Sequence, residues 1–139
     1  MSAFLTPLNL EMMTGPLEID GKIIENVPMK NREGRQFWRV LTPFVYQSDV
    51  AGKTIIVPDG FISDLASIPR LPFVYRELNG EADMPGVIHD YLYSVGPPPR
   101  EACDAVLKEA CSLIGLSAWK VWAIYTGVRV GGKSHFMRT

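Results

Sequence analysis

The sequence changes character near its middle, and that change constrains the fold more than any other feature. Residues 1–62 are rich in β-branched and aromatic residues punctuated by Pro and Gly, whereas residues 84–131 carry apolar residues at helical spacing. A chain that places strands first and helices second, without alternating them, points to an α+β domain. The expected architecture is a small antiparallel sheet with helices gathered on one side. With 139 residues, 47% of them hydrophobic and 21% charged, the chain suits one folded domain with one core.

In the first half, Leu17–Ile24 holds an Asp20-Gly21 pair between apolar residues, which is a hairpin signal. Gln36–Tyr46 reads as a strand, with Pro43 placed at an edge or bulge. Ser48–Lys53 reads as a turn and Thr54–Val57 as a short strand closed by Pro58-Asp59-Gly60. The organisation expected is an N-terminal segment (1–35), strands (36–62), a motif loop (63–83), helices (84–131) and a loose tail (132–139).

The spacing predicts three helices. The first spans about Pro85–Ser94 and stops at "VGPPPR", where the prolines cannot continue it. The second spans about Arg100–Leu113, with Val106, Ala110 and Leu113 on one stripe and Gly115 after it. The third spans about Ala118–Val130, capped by Ser117.

The net charge of −1 and the scattered basic residues exclude the footprint of a nucleic-acid binder. No apolar run approaches the ~18 residues of a membrane span. The start, "MSAFLTPLNLEMMTG", lacks the charged and apolar regions of a signal peptide, so none is expected. Cys103 and Cys111 lie on one predicted helix, eight residues apart, too far for a disulfide; they read as small core residues in a reduced compartment.

The candidate site centres on "GVIHDYLYS", residues 86–94. His89 and Tyr93 are one helical turn apart and share a face, while Asp90 is rotated by about 100°. On the second helix, Asp104 sits in the apolar stretch "REACDAVLKEA" and needs a partner, because a buried unpaired charge is costly. The short loop makes the two helices antiparallel neighbours, so His89 is the expected partner of Asp104. A carboxylate on one ring nitrogen fixes the tautomer and leaves the other nitrogen free to meet water as a base. The competing explanation is a buried polar pair that merely joins two helices. Asp59 and Asp64 offer hard oxygen ligands to a cation, and Asp64 is equally a helix cap. Ser67 reads as a turn hydroxyl, since no nucleophile elbow surrounds it. Arg70 and Arg100 pair with the acids or bind an anionic group, and His135 reads as a solvated tail residue. Trp119 and Trp122 divide between core and margin, or face a partner protein.

Four stretches in this order, "IIVPDGFISDLASIPR" (55–70), "GVIHDYLY" (86–93), "REACDAVLKEA" (100–110) and "GVRVGG" (127–132), resemble a family of mostly bacteriophage and prophage proteins known only as a domain of unknown function. The likeness spans about residues 37–133 and implies phage origin but no activity. More locally, "HDYLY" followed by a helix bearing Asp104 is similar to the core of secreted phospholipases A2. That resemblance implies His89 as the water-activating base, Asp90 as a calcium ligand, and Tyr93 and Asp104 as the groups that orient the histidine. The Gly/Cys-rich calcium loop and the disulfide framework of those enzymes are absent.

Two functions follow. One is a small phage hydrolase acting on an ester or amide of the host envelope, with His89, Asp104 and Tyr93 catalytic and a divalent cation such as calcium on Asp90 and Asp64. The other is a non-catalytic virion component, such as a tail or baseplate subunit or an assembly factor, whose partners are other phage structural proteins. The expected location is the host cytoplasm during infection, with incorporation into the virion under the second reading.

Overall fold

The structure, a computed structural model, describes residues 1–65, 78, 80–96, 98–132 and 136. The chain is an α+β domain. Its strands, in chain order, are β1 (Ala3–Phe4), β2 (Leu10–Met12), β3 (Thr14–Ile19), β4 (Lys22–Pro28), β5 (Trp38–Val40), β6 (Phe44–Ser48), β7 (Lys53–Val57) and β8 (Ile62–Ser63). The helices with described bounds in the C-terminal half are α1 (Asp83–Val95), α2 (Arg100–Leu113) and α3 (Ala118–Gly131).

Among the described residues, the strands form three small antiparallel sheets, ordered β1-β6-β7, β2-β5-β8 and β3-β4. The stretch expected as one strand over Gln36–Tyr46 is split between two of them. β5 ends at Val40 and β6 begins at Phe44, because Pro43 has no N–H for a ladder and the chain crosses there from one sheet to the next. Residues 1–35 contain four strands, of which the sequence predicts only the β3–β4 hairpin. The turn of that hairpin places Asp20 at φ 51° and Gly21 at φ 77°, the left-handed pair that an Asp-Gly type I′ turn requires. Few of its side chains are covered: Leu17, Ile19, Ile23 and Ile24 are all exposed.

The β6–β7 ladder runs from Phe44↔Val57 to Ser48↔Lys53. Alternation along β7 turns Ile55 and Val57 inward and Ile56 outward. The inward residues join Val40, Phe44 and Tyr46 against Val87, Ile88 and Leu92 of α1 and Cys103, Val106 and Ala110 of α2. A second cluster, Leu107, Cys111, Val121, Ile124 and Val128 with Leu78 and Ala82, fills the space between α2 and α3. Both cysteines are free and buried, and burial pushes the Cys103 thiol up to about 11 and the Cys111 thiol up to about 12.

One carboxylate ties the two halves of the domain together. Glu109 of α2 accepts hydrogen bonds from Tyr46 Oη (2.8 Å), Ser48 Oγ (2.8 Å) and the Val50 N–H (2.9 Å). The helix pair is thereby locked onto the β6–β7 hairpin. The first residue of α2 also satisfies the end of α3: Arg100 Nη2 donates to the carbonyls of Val128 (2.8 Å) and Arg129 (2.7 Å). Among the described residues Arg100 therefore serves backbone oxygens, where the sequence suggests acids or an anionic group.

Candidate functional site

Helix α1 is apolar over most of its surface, and its buried residues are Pro85, Gly86, Val87, Ile88, His89, Leu92 and Tyr93. His89 and Tyr93, four residues apart, project side by side towards α2, with ring centroids 4.0 Å apart. Asp104 meets them from α2, on the same buried face as Cys103 and Leu107.

Asp104 is fully buried, and its carboxylate receives three donors. His89 Nε2 lies 2.7 Å from Oδ1, and Tyr93 Oη donates to the same oxygen at 2.5 Å. Arg129 of α3 donates from Nη1 to the other oxygen, Oδ2, at 2.7 Å. Burial alone would raise the proton affinity of this acid. The hydrogen bonds from His89, Tyr93 and Arg129 outweigh burial and hold Asp104 below the usual carboxylate range. Burial, with the hydrogen bond to Asp104 next, raises Tyr93 above the ordinary phenol value.

These charges settle the proton on the imidazole. An ionised carboxylate offers only lone pairs, so Nε2 carries the hydrogen it shares with Oδ1. In the neutral ring, Nδ1 is then a bare lone pair. That atom is buried and has no hydrogen-bond partner among the described residues. The sequence leads one to expect this edge of the ring to face water. Instead His89 is only 2% exposed, because α1 turns its histidine face inward against α2.

The end of α3 closes over the phenol. A Cβ on Gly132 would stand 2.7 Å from Tyr93 Oη, closer than real Cβ atoms come. Phe136 packs edge-on against the Tyr93 ring, with centroids 5.3 Å apart. Arg129 and Gly132 both belong to the "GVRVGG" stretch, yet no single-helix pattern marks either. An arginine in the last turn of a helix reads on its own as a partner for the helix dipole. The third donor to Asp104 becomes visible only when α3 is placed against α2.

The carboxylates expected to hold a cation have hydrogen-bond partners of their own. Asp90 turns towards β8, where its Oδ2 accepts a hydrogen bond from Ser63 Oγ at 2.5 Å. Ser63 Oγ also accepts from the N–H of Leu65, a residue held at φ 54°. Asp64 Oδ2 accepts from Asn31 Nδ2 at 2.9 Å. Among the described residues, no group of three or more His, Cys, Asp or Glu side chains converges as metal ligands would. Ser67, Arg70 and His135 lie outside the described residues. Trp119 and Trp122 do not divide between core and margin: both are exposed, Trp122 at 68%. No helix among the described residues is long and apolar enough to cross a membrane.

A family model described as a protein of unknown function, DUF1353, matches residues 38–128, well over half of the chain. The chain belongs to the DUF1353 family. The match begins at β5 and ends in α3, so it takes in His89, Tyr93 and Asp104 and stops one residue short of Arg129. No curated protein and no solved structure matches this DUF1353 chain.

Proposed function

We propose that this DUF1353 domain is phage-encoded and is a small hydrolase in which His89 is the general base. The observation that supports this reading is the bare Nδ1. A histidine needed only to join two helices would place both ring nitrogens in hydrogen bonds, because an unpaired buried polar atom costs ~1–3 kcal/mol. Here one nitrogen is fixed by Asp104 and the other is left without a protein partner among the described residues. A water at Nδ1 would give its proton to that lone pair while its oxygen attacks an ester or amide carbonyl of the host envelope; the acyl C–O or C–N bond would then break, and the leaving alcohol or amine would take that proton back from Nδ1. Tyr93 and Asp104 orient the ring and stabilise the imidazolium that forms.

The experiment compares wild type with His89→Gln on short acyl esters and envelope-derived amide fragments, with the melting temperature of each recorded. The reading predicts a rate ~10²–10⁴-fold lower in the variant. Equal rates, or no turnover of any substrate by the wild type, would remove it. A divalent cation such as calcium, held by Asp90 with Asp64, belongs to the same proposal as a means of polarising the carbonyl. Added calcium should then raise the melting temperature, and Asp90→Asn should abolish that rise.

A second reading draws on the near-complete burial of His89 and Asp104. In it the cluster is internal cement, and the protein is a virion component or assembly factor working through its surfaces. His89→Gln would then lower the melting temperature with no loss of any activity, and the protein would be found by mass spectrometry in purified particles.

A further inference from the structure

Helix α3 is uncharged on two opposite sides. Val121, Ile124 and Val128 turn inward onto α2. The other side carries Trp119, Trp122, Ala123, Thr126, Gly127 and Val130, which recur at the spacing that lines residues up along one helix face. Trp119, Trp122, Gly127 and Val130 are exposed, Trp122 by 68% and Val130 by 82%, and Ala123 and Thr126 are half-buried. A helix that is apolar all round is ordinarily covered all round. The two charged residues of α3 flank the stripe and are engaged with neighbours. Arg129 holds Asp104, and Lys120 Nζ bonds Glu81 at 2.6 Å while standing 5.9 Å from the Trp119 ring. Tryptophan without charge is the composition of an interface core. The exposed aliphatics of the β3–β4 hairpin differ, because charges stand directly among them: Glu18 is opposite Ile23, and Lys22 is opposite Ile19.

We propose that the outer side of α3 is the surface through which two copies of this chain associate, with their α3 helices antiparallel about a two-fold axis. The occupant follows from where the bulk lies. Both indoles stand at the N-terminal end of the stripe, and from Ala123 onward it is slim. An antiparallel copy sets each bulky end against a slim one, so one surface fills the other, as an isologous contact requires. A parallel copy would set indole on indole and leave glycine facing glycine. The antiparallel arrangement also opposes the two helix dipoles. A lipid surface fits less well. Helices that lie on membranes keep Lys and Arg on the polar face for anionic headgroups, whereas both basic residues of α3 are held in ion pairs and the chain carries a net charge of −1. A helix of this length spans about 21 Å. A contact confined to one such pair falls below the ~1,200 Å² of a standard stable interface. The dimer is therefore a reversible one that forms with rising concentration. None of this depends on the role assigned to His89.

The test is sedimentation equilibrium of the full chain from low-micromolar to sub-millimolar concentration. The weight-average mass should rise from 15.5 kDa towards twice that value. Trp122→Glu and Val130→Glu, at opposite ends of the stripe, should each weaken association by roughly tenfold or more, because the dimer buries the new carboxylate against apolar surface. Ile23→Glu, on the hairpin, should leave association unchanged. Melting of dilute samples by circular dichroism checks that each variant keeps its fold; should one of the stripe variants unfold, the other decides alone. A mass fixed at 15.5 kDa at every concentration would overturn the proposal. So would binding of a persistent monomer to phosphatidylcholine vesicles, which would make the stripe a lipid contact. Dissociation by Ile23→Glu but not by Trp122→Glu would move the contact to the hairpin and overturn it equally. Weakening by Trp122→Glu without weakening by Val130→Glu would overturn the antiparallel arrangement.

Discussion

Replacing Asp104 with Asn tests the buried network in the fewest atoms. The change preserves shape and removes one charge. The amide oxygen can accept from Arg129, or from His89 and Tyr93, but not from both sides. Whichever side it abandons meets an N–H₂ group in place of an acceptor, so donors face donors. If Arg129 loses, a guanidinium is left beside a neutral group, and if His89 and Tyr93 lose, two buried donors are orphaned. Breaking a buried charge pair from one side costs ~3–5 kcal/mol. An unfolding entropy of ~2.1 cal/mol/K per residue applied to this chain converts each kcal/mol into about 3–4 °C. Asp104→Asn should therefore melt about 10–17 °C below wild type in a calorimetric scan. A drop below about 3 °C would mean that the three donors find other partners at little cost, and the reasoning that makes Asp104 the hub would fail.

The remaining predictions concern the cover of the site and its titration. Gly132 has φ −78°, which alanine adopts freely, so it is the close approach of Tyr93, its Oη above all and two ring carbons behind it, that opposes a side chain there. Gly132→Ala should cost ~1–3 kcal/mol by overpacking, measured by urea denaturation, and pairing it with Tyr93→Phe should recover part of the loss. Asp104 and Glu109 are both held below their ordinary values, so their contribution is present above the unfolded-chain values of 3.8 and 4.5 and is lost as pH falls below them. Stability should therefore decline on acidification through that window, and Asp104→Asn should flatten the decline. Tyr46 and Tyr93 are raised by burial, so the folded state keeps their protons when the unfolded chain releases them. Stability should fall as pH rises above 10, and the phenolate absorbance of these two tyrosines should appear only on unfolding.

The helices are legible in the sequence because their signals are local. Apolar periodicity, Pro97–Pro99 and Gly115 delimit α1, α2 and α3 to within two residues at each end. The division of the strands among three sheets is not legible. β1 and β2 are strands of two and three residues whose partners, β6 and β5, lie far along the chain, and nothing local announces such pairings. The β3–β4 hairpin announces itself by its turn, yet its aliphatic residues look like core and are exposed.

At the site, the approach of His89 to Asp104 could be reasoned from two antiparallel helices joined by a short loop. The depth of the ring could not, because burial depends on the whole layer that α1 and α2 form against β6 and β7. Arg129 was illegible for a related reason: its role depends on how α3 crosses α2, and sequence spacing within α3 does not report that crossing. Asp90, one residue from His89, turned out to serve Ser63, since a 100° step along a helix points to a different neighbour.

The most direct test of the account is the ring-nitrogen spectrum of His89 in the unmodified network, recorded on the His135→Gln protein in its neutral form. The account predicts a proton on Nε2, shared with Asp104, and an unprotonated Nδ1. A proton on Nδ1 with Nε2 bare would contradict it, because Asp104 could not then be the ionised acceptor on which the arrangement depends.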